Sequence, residues 1–314
     1  MAGVHAAKLG VAVESSIVVR QVIVLFLVLL VGLYSRKRNI ISADMVGRLS
    51  DLLLQVTQPL LIVSSFDFDF SEEMLRNAGL VLLLSLVIHL VSMLAGRFLY
   101  LRWPDSTRNV LKYITVFSNC GFMGLPVLDS IFGSIGVFYG ALYSIPFQVL
   151  ALSYGVMIFT GRSDRDALKK ILTHPILLSV VVGMLLFLLQ IPLPDVVMQA
   201  VSMVGSMTTP LSMLIVGSLL AEVPVRELFR GKEIYYGSVV RLIVLPLLVY
   251  AMLSPLRLPK DVLHVCVILT AMPAAANAAI YSRKYGGDAG LASRCISIST
   301  ILSIFTIPLI LMIF

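Results

Sequence analysis

Residues 118–126 read Ser118-Asn119-Cys120-Gly121-Phe122-Met123-Gly124-Leu125-Pro126. Apolar sequence on both sides is long enough for one helix over 108–130, but the middle is built to weaken it. Two glycines lower helix propensity, and proline removes a backbone donor and frees a carbonyl. Asn119 adds an amide that both donates and accepts. Inside a bilayer, freed backbone groups persist only where protein or a water-filled cavity satisfies them.

A second stretch answers the first: Thr270-Ala271-Met272-Pro273-Ala274-Ala275-Ala276-Asn277. Its small residues let another backbone approach closely. Two helices broken here and crossing at mid-membrane would bring two half-helix N-termini together. Each carries unpaired N–H groups and a partial positive charge, which together welcome an anion without lysine or arginine. Gly121, Gly124, Pro126, Met272 and Pro273 are the expected break residues. The competing reading is a pair of structural kinks, with Asn119 joining two helices.

The surrounding composition makes a membrane setting necessary. Hydrophobic residues are 59% of the 314 and charged residues 13%, against about 25% charged in soluble domains. Lipid must therefore cover part of the surface. Ten apolar segments fit the chain, over 17–34, 46–66, 74–100, 108–130, 134–160, 171–190, 195–221, 233–254, 261–284 and 289–313. This predicts an all-α integral membrane protein, one membrane domain over 1–314. The first apolar run is of spanning length and its basic cluster follows it, so it is expected to be a retained helix rather than a signal.

Charge supports the even count. Alternate loops hold 18 of the 24 Lys and Arg, in clusters around Arg36–Arg48, Arg97–Lys112, Arg162–Lys170, Arg226–Lys232 and Arg283–Arg294. Basic loops stay cytoplasmic, so both termini are expected outside a cell (cytoplasmic or inner) membrane. The net charge of +7 needs no nucleic acid to explain it.

The halves resemble one another. Gln58-Pro59-Leu60-Leu61-Ile62-Val63-Ser64-Ser65 matches Thr209-Pro210-Leu211-Ser212-Met213-Leu214-Ile215-Val216-Gly217-Ser218, and Pro126 matches Pro273. Five spans per half, 17–160 and 171–313, is an odd number, so the second half enters with inverted polarity. Inverted repeats are a common transporter architecture, with substrate at their interface.

Other polar residues fall inside the spans. Gln58 and Gln148 are deep enough to line a cavity. Arg241 lies within the eighth segment, towards its basic end, where snorkelling to the surface competes with a functional role. Asp51 is peripheral and available to cap its helix or pair with Arg48. His89 reads as a hydrogen-bonded core histidine. Cys120, Cys266 and Cys295 show no metal-like spacing and are expected as free buried thiols. No catalytic motif, metal site or cofactor fingerprint is present.

With these residues in view, the chain resembles the auxin efflux carrier family over essentially its whole length. The resemblance rests on Asn119, Gly121, Gly124 and Pro126; on Met272 to Asn277; on Lys284-Tyr285-Gly286-Gly287-Asp288, Ser299-Thr300 and Pro308; and on Arg241-Leu242 with Pro246. The bacterial branch is similar in length, and the Gly161 to His174 connection is short. The resemblance implies two inverted five-helix repeats with crossing broken helices 4 and 9. It also implies transport of small organic anions, indole carboxylates in plant relatives and dicarboxylates such as malate or malonate in bacterial ones. Asn119 falls on the family's crossover asparagine. Asn277 matches the bacterial pattern, and Gln148 sits where the family often has an amide. Cys120 departs from other members.

The expected function is alternating access around a mid-membrane carboxylate site formed by Asn119, Cys120, Gly121, Gln148, Pro273, Asn277 and Gln58. A sodium- or proton-coupled symporter of another solute is the second reading, in which Thr270, with Asn119 and Asn277, would supply cation ligands. A membrane ligand sensor without transport is the third. An enzyme is not expected, and a homodimer is left open.

Overall fold

The computed structural model describes residues 2–162 and 166–313, with side chains from residue 19 onward. Arg165, one of the loop charges, lies outside the described residues. All named elements are helical. In chain order they are α1 (Ala2–Lys37), α2 (Ala43–Leu52), α3 (Gln58–Ser64), α4 (Glu72–Leu99), α5 (Asp105–Val116), α6 (Leu125–Phe132), α7 (Ser134–Leu152), α8 (Tyr154–Thr160) and α9 (Ala167–Leu172). There follow α10 (Pro175–Leu189), α11 (Asp195–Ser206), α12 (Thr208–Leu220), α13 (Val225–Leu228), α14 (Lys232–Val239), α15 (Leu245–Leu253), α16 (Lys260–Ala271), α17 (Asn277–Lys284) and α18 (Ala289–Leu311).

Among the described residues, six helical stretches are long and apolar enough to cross a membrane: Val19–Lys37, Glu72–Leu99, Ser134–Thr160, Asp195–Leu220, Lys232–Leu256 and Ala289–Leu311. Cys120–Phe132 and Pro175–Leu189 are shorter apolar helices. Polar caps mark several starts. Ser42, Ser71 and Asp288 each accept a backbone N–H from the first turn of the helix that follows, which satisfies donors a helix start otherwise leaves bare.

Among the described residues, three π-helical turns interrupt the helices, at Leu53–Thr57, Cys120–Gly124 and Val240–Val244. Each ends two residues before a proline: Pro59, Pro126 and Pro246. The cause is shared. Proline has no N–H, so the helix widens by one residue ahead of it. The N–H of the preceding residue reaches five residues back, from Gln58 to Leu53, Leu125 to Cys120 and Leu245 to Val240.

The helices sort into two bundles. In one, α1 lies along α12, and α3 packs on both α10 and α11. Here α1 and α12 touch at backbone distance: a Cβ added to Gly217 would sit 1.9 Å from the Leu29 carbonyl oxygen. Ser218 Oγ donates across the same seam to the Gly32 carbonyl at 3.2 Å. The second bundle packs α4 and α6 on α7, α4 on α5, α14 and α17 on α18, and α15 on α16. The bundles meet where α1 touches α6 and α18.

Candidate functional site: two broken helices around a buried arginine

In the second bundle, α5 stops at Val116 and a new helical turn begins at Cys120. Phe117 between them is extended. Likewise α16 ends at Ala271, Met272 is extended, and α17 starts at Asn277. The two non-helical stretches pair with each other. Ser118 and Ala274 form an antiparallel bridge. Asn119 N donates to the Pro273 carbonyl at 2.8 Å, and Ala275 N donates to the Phe117 carbonyl at 3.1 Å. Backbone groups bared by each break are thus satisfied by the other break, as burial in a bilayer requires. Ser299 Oγ on α18 accepts from Ala274 N at 3.1 Å and completes the set on that side.

Arg241 lies at the same place. Its side chain is buried, with the residue 2% exposed. Nε donates to the Met272 carbonyl at 3.1 Å and Nη1 to the Thr115 carbonyl at 2.7 Å. Nη2 donates to the Thr270 carbonyl. The guanidinium therefore closes the C-terminal ends of α5 and α16 together. Snorkelling to the surface is corrected: the side chain points inward, because three bare carbonyls hold its donors there. Depth along the helix is the sequence signal for this placement. Arg241 is eight residues past 233, about 12 Å at ~1.5 Å per residue, which is already most of the way to mid-membrane.

A cavity of about 660 Å³ lies between the two bundles. Leu54, Ile176 and Leu219 contribute from one bundle, and Phe122, Phe147 and Ile280 from the other. Its mouth carries Asp51, Glu222, Arg283 and Lys284, so it opens on the side of the basic loops. Its inner end is the paired break, with Ser118, Asn119, Gly121, Ala275 and Asn277 in the wall.

Of the residues expected to bind, Asn119, Gly121, Gln148 and Asn277 line this cavity, and Gln58, Cys120 and Pro273 do not. Asn119 is 3% exposed, and its Nδ2 has no hydrogen-bond partner. Asn277 Oδ1 accepts from Tyr113 Oη at 3.1 Å, a contact across the two breaks that sequence reasoning did not find. Gln58 is fully buried, and its Nε2 reaches the Gly121 carbonyl at 3.5 Å. That carbonyl is the one Pro126 would have served in the widened turn, so Gln58 supports the break rather than facing the cavity. Cys120 is a buried free thiol, as are Cys266 and Cys295. Pro273 contributes its carbonyl to Asn119.

The break residues divide by cause. Neither Gly121 nor Gly124 has positive φ. A Cβ at Gly124 would lie 2.5 Å from Leu269 Cδ2, a side-chain end that would have to shift, whereas a Cβ at Gly121 would meet only Gln58 Nε2 at 3.6 Å. Thr270 Oγ1 donates to its own helix at the Cys266 carbonyl, 2.7 Å, and Thr270 is not among the residues that line the cavity. Asp51 does not pair with Arg48, whose Nε donates to Asp44 at 2.9 Å. Asp51 stands on the cavity wall instead. His89 is a core residue, with Nδ1 2.7 Å from the Ser85 carbonyl. No group of His, Cys, Asp and Glu among the described residues is arranged to hold a metal ion.

Comparison with known proteins adds the family. The family model described as "Membrane transport protein" matches twice, over residues 17–169 and 159–311. The chain belongs to this membrane transport family. It is the auxin efflux carrier family of the resemblance above, and one model matching two consecutive segments is what an internal repeat produces. Relatives span nearly the whole length on both sides. An uncharacterized transporter of Methanothermobacter thermautotrophicus is 26% identical over 91% of this chain and 94% of its own. One from Methanocaldococcus jannaschii is 22% identical over 92% and 96%. The uncharacterized transporter YfdV of Escherichia coli is 21% identical over 91% and 94%.

Proposed function

We propose that this chain is a secondary transporter that carries a small organic carboxylate by alternating access. In this reading it crosses the membrane ten times, as two inverted five-helix repeats, with both termini outside and the broken spans α5–α6 and α16–α17 crossing at mid-membrane. The observation that carries the site is the Asn119 amide: a buried donor with no protein partner, in the wall of a cavity that reaches the crossing.

Chemistry at the crossing favours a negative group. The helical turns starting at Cys120 and at Asn277 both begin there. Their first N–H groups lack helical partners and carry the positive end of the helix dipole. Asn119 Nδ2 adds a directed hydrogen bond. The apolar wall of Phe122, Phe147 and Leu54 suits the carbon body of such an anion. With the cavity open on the basic side, this is the inward-facing state. Movement of the second bundle against the first would close it and open the other face.

Uptake of labelled mono- and dicarboxylates into proteoliposomes tests the reading, with Asn119→Ala measured beside the wild type. Saturable uptake that falls at least tenfold in N119A is expected. Equal uptake in the two proteins removes the site. Saturable binding with no flux replaces the carrier with a sensor.

A further inference from the structure

The crossing contains a full positive charge that the anion site does not use. Arg241 donates to the carbonyls of Thr115, Thr270 and Met272. Among the described residues, the ion pairs are Arg48–Asp44 and Arg108–Asp105, so no carboxylate neutralises it. Helix ends do so instead. The C-termini of α5 and α16 each carry about −0.5 of an elementary charge, and two of them together balance one guanidinium.

Carbonyl oxygens at the unwound ends of broken helices are the groups with which secondary transporters hold a coupling cation such as sodium. Here three such oxygens, from both broken helices, surround one guanidinium and are already taken. We propose that Arg241 is a tethered cation filling a carbonyl cage that would otherwise take sodium, so that this carrier works at its crossing without an alkali cation. Its role is positioning. It holds the two α-helix ends together through the whole transport cycle, where a diffusible ion would come and go with each turnover. The proposal deepens the transport reading and rests on it for its functional meaning. Its test needs no organic acid, so the two can fail separately.

The test is thermal unfolding of the purified full-length chain in sodium, potassium or choline chloride at matched ionic strength. Wild type is expected to melt at the same temperature in all three, within about 1 °C. Arg241→Ala is expected to melt lower in choline and to regain several degrees in sodium specifically, rising with concentration as mass action requires. Arg241→Lys, which keeps the charge, is expected to stay indifferent to sodium. A sodium-specific gain in the wild type overturns the proposal, as does an Arg241→Ala protein that sodium leaves unchanged. If Arg241→Ala does not fold in choline, its recovery in sodium is the expected result, and failure to fold in sodium as well counts against the cage. A merely structural arginine would give a destabilised variant with no preference among the three salts.

Discussion

Gly217→Ala probes the contact between α1 and α12 most sharply. Its new Cβ would stand 1.9 Å from the Leu29 carbonyl oxygen, where contacts under 3.0 Å are essentially never seen. Backbone cannot swing aside as a side chain does, so the helices must part by at least 1.1 Å, the difference between those two distances. Overpacking of this kind costs about 1–3 kcal/mol. Parting the helices also lengthens the Ser218 Oγ to Gly32 carbonyl contact, now 3.2 Å, but the hydroxyl keeps its 2.8 Å bond to the Leu214 carbonyl in its own helix, so overpacking dominates. At about 2–4 °C per kcal/mol for chains of a few hundred residues, the melting temperature in detergent should fall by roughly 2–12 °C. Gly121→Ala is the control: its Cβ meets only a side-chain nitrogen at 3.6 Å, and it should melt within a few degrees of wild type. Gly217→Ala melting like wild type while Gly121→Ala collapses would refute the packing described for both.

Gln58→Leu removes the donor to the Gly121 carbonyl. It should lower stability by about 1 kcal/mol, the low end for an unsatisfied buried acceptor because the bond is long, and it should slow transport without changing half-saturation. A large change in half-saturation would instead make Gln58 a ligand. Tyr113→Phe frees Asn277 Oδ1 from its 3.1 Å partner. Losing a bond of about 0.5–1.5 kcal/mol should weaken carboxylate binding roughly two- to tenfold, as read by titration calorimetry. Unchanged affinity would show that Asn277 needs no such orientation.

Much of this was legible in the sequence because bilayers permit few solutions. Apolar segment length, the bias of basic residues to alternate loops and the proline-bearing repeats all follow from one-dimensional rules, and helical architecture and the transport family agree with them. Which face each polar residue presents did not follow. Gln58 and Gln148 are alike in sequence, amides deep in apolar segments. Yet Gln58 turns to a carbonyl that Pro126 leaves bare, and Gln148 turns to the cavity. A widened turn before proline rotates everything beyond it, and nothing in the residues themselves announces that rotation. For Arg241, depth along the helix is legible, but the choice between snorkelling and an inward role is not, for a related reason. Its partners are main-chain carbonyls of Thr115, Thr270 and Met272, which no residue type advertises. Asn119 was found because its chemistry and its neighbours agree: an amide beside a break has few other uses.

In the proposed mechanism the crossing recognises negative charge through Asn119 and the neighbouring helix starts. The most direct measurement compares a carboxylate that the wild type transports with its uncharged primary amide, by thermal shift and calorimetry on wild type and Asn119→Ala. The acid is expected to bind wild type at least tenfold more tightly than the amide does, and this preference is expected to shrink in the variant. Equal binding of acid and amide, or a charge preference untouched by Asn119→Ala, would contradict it.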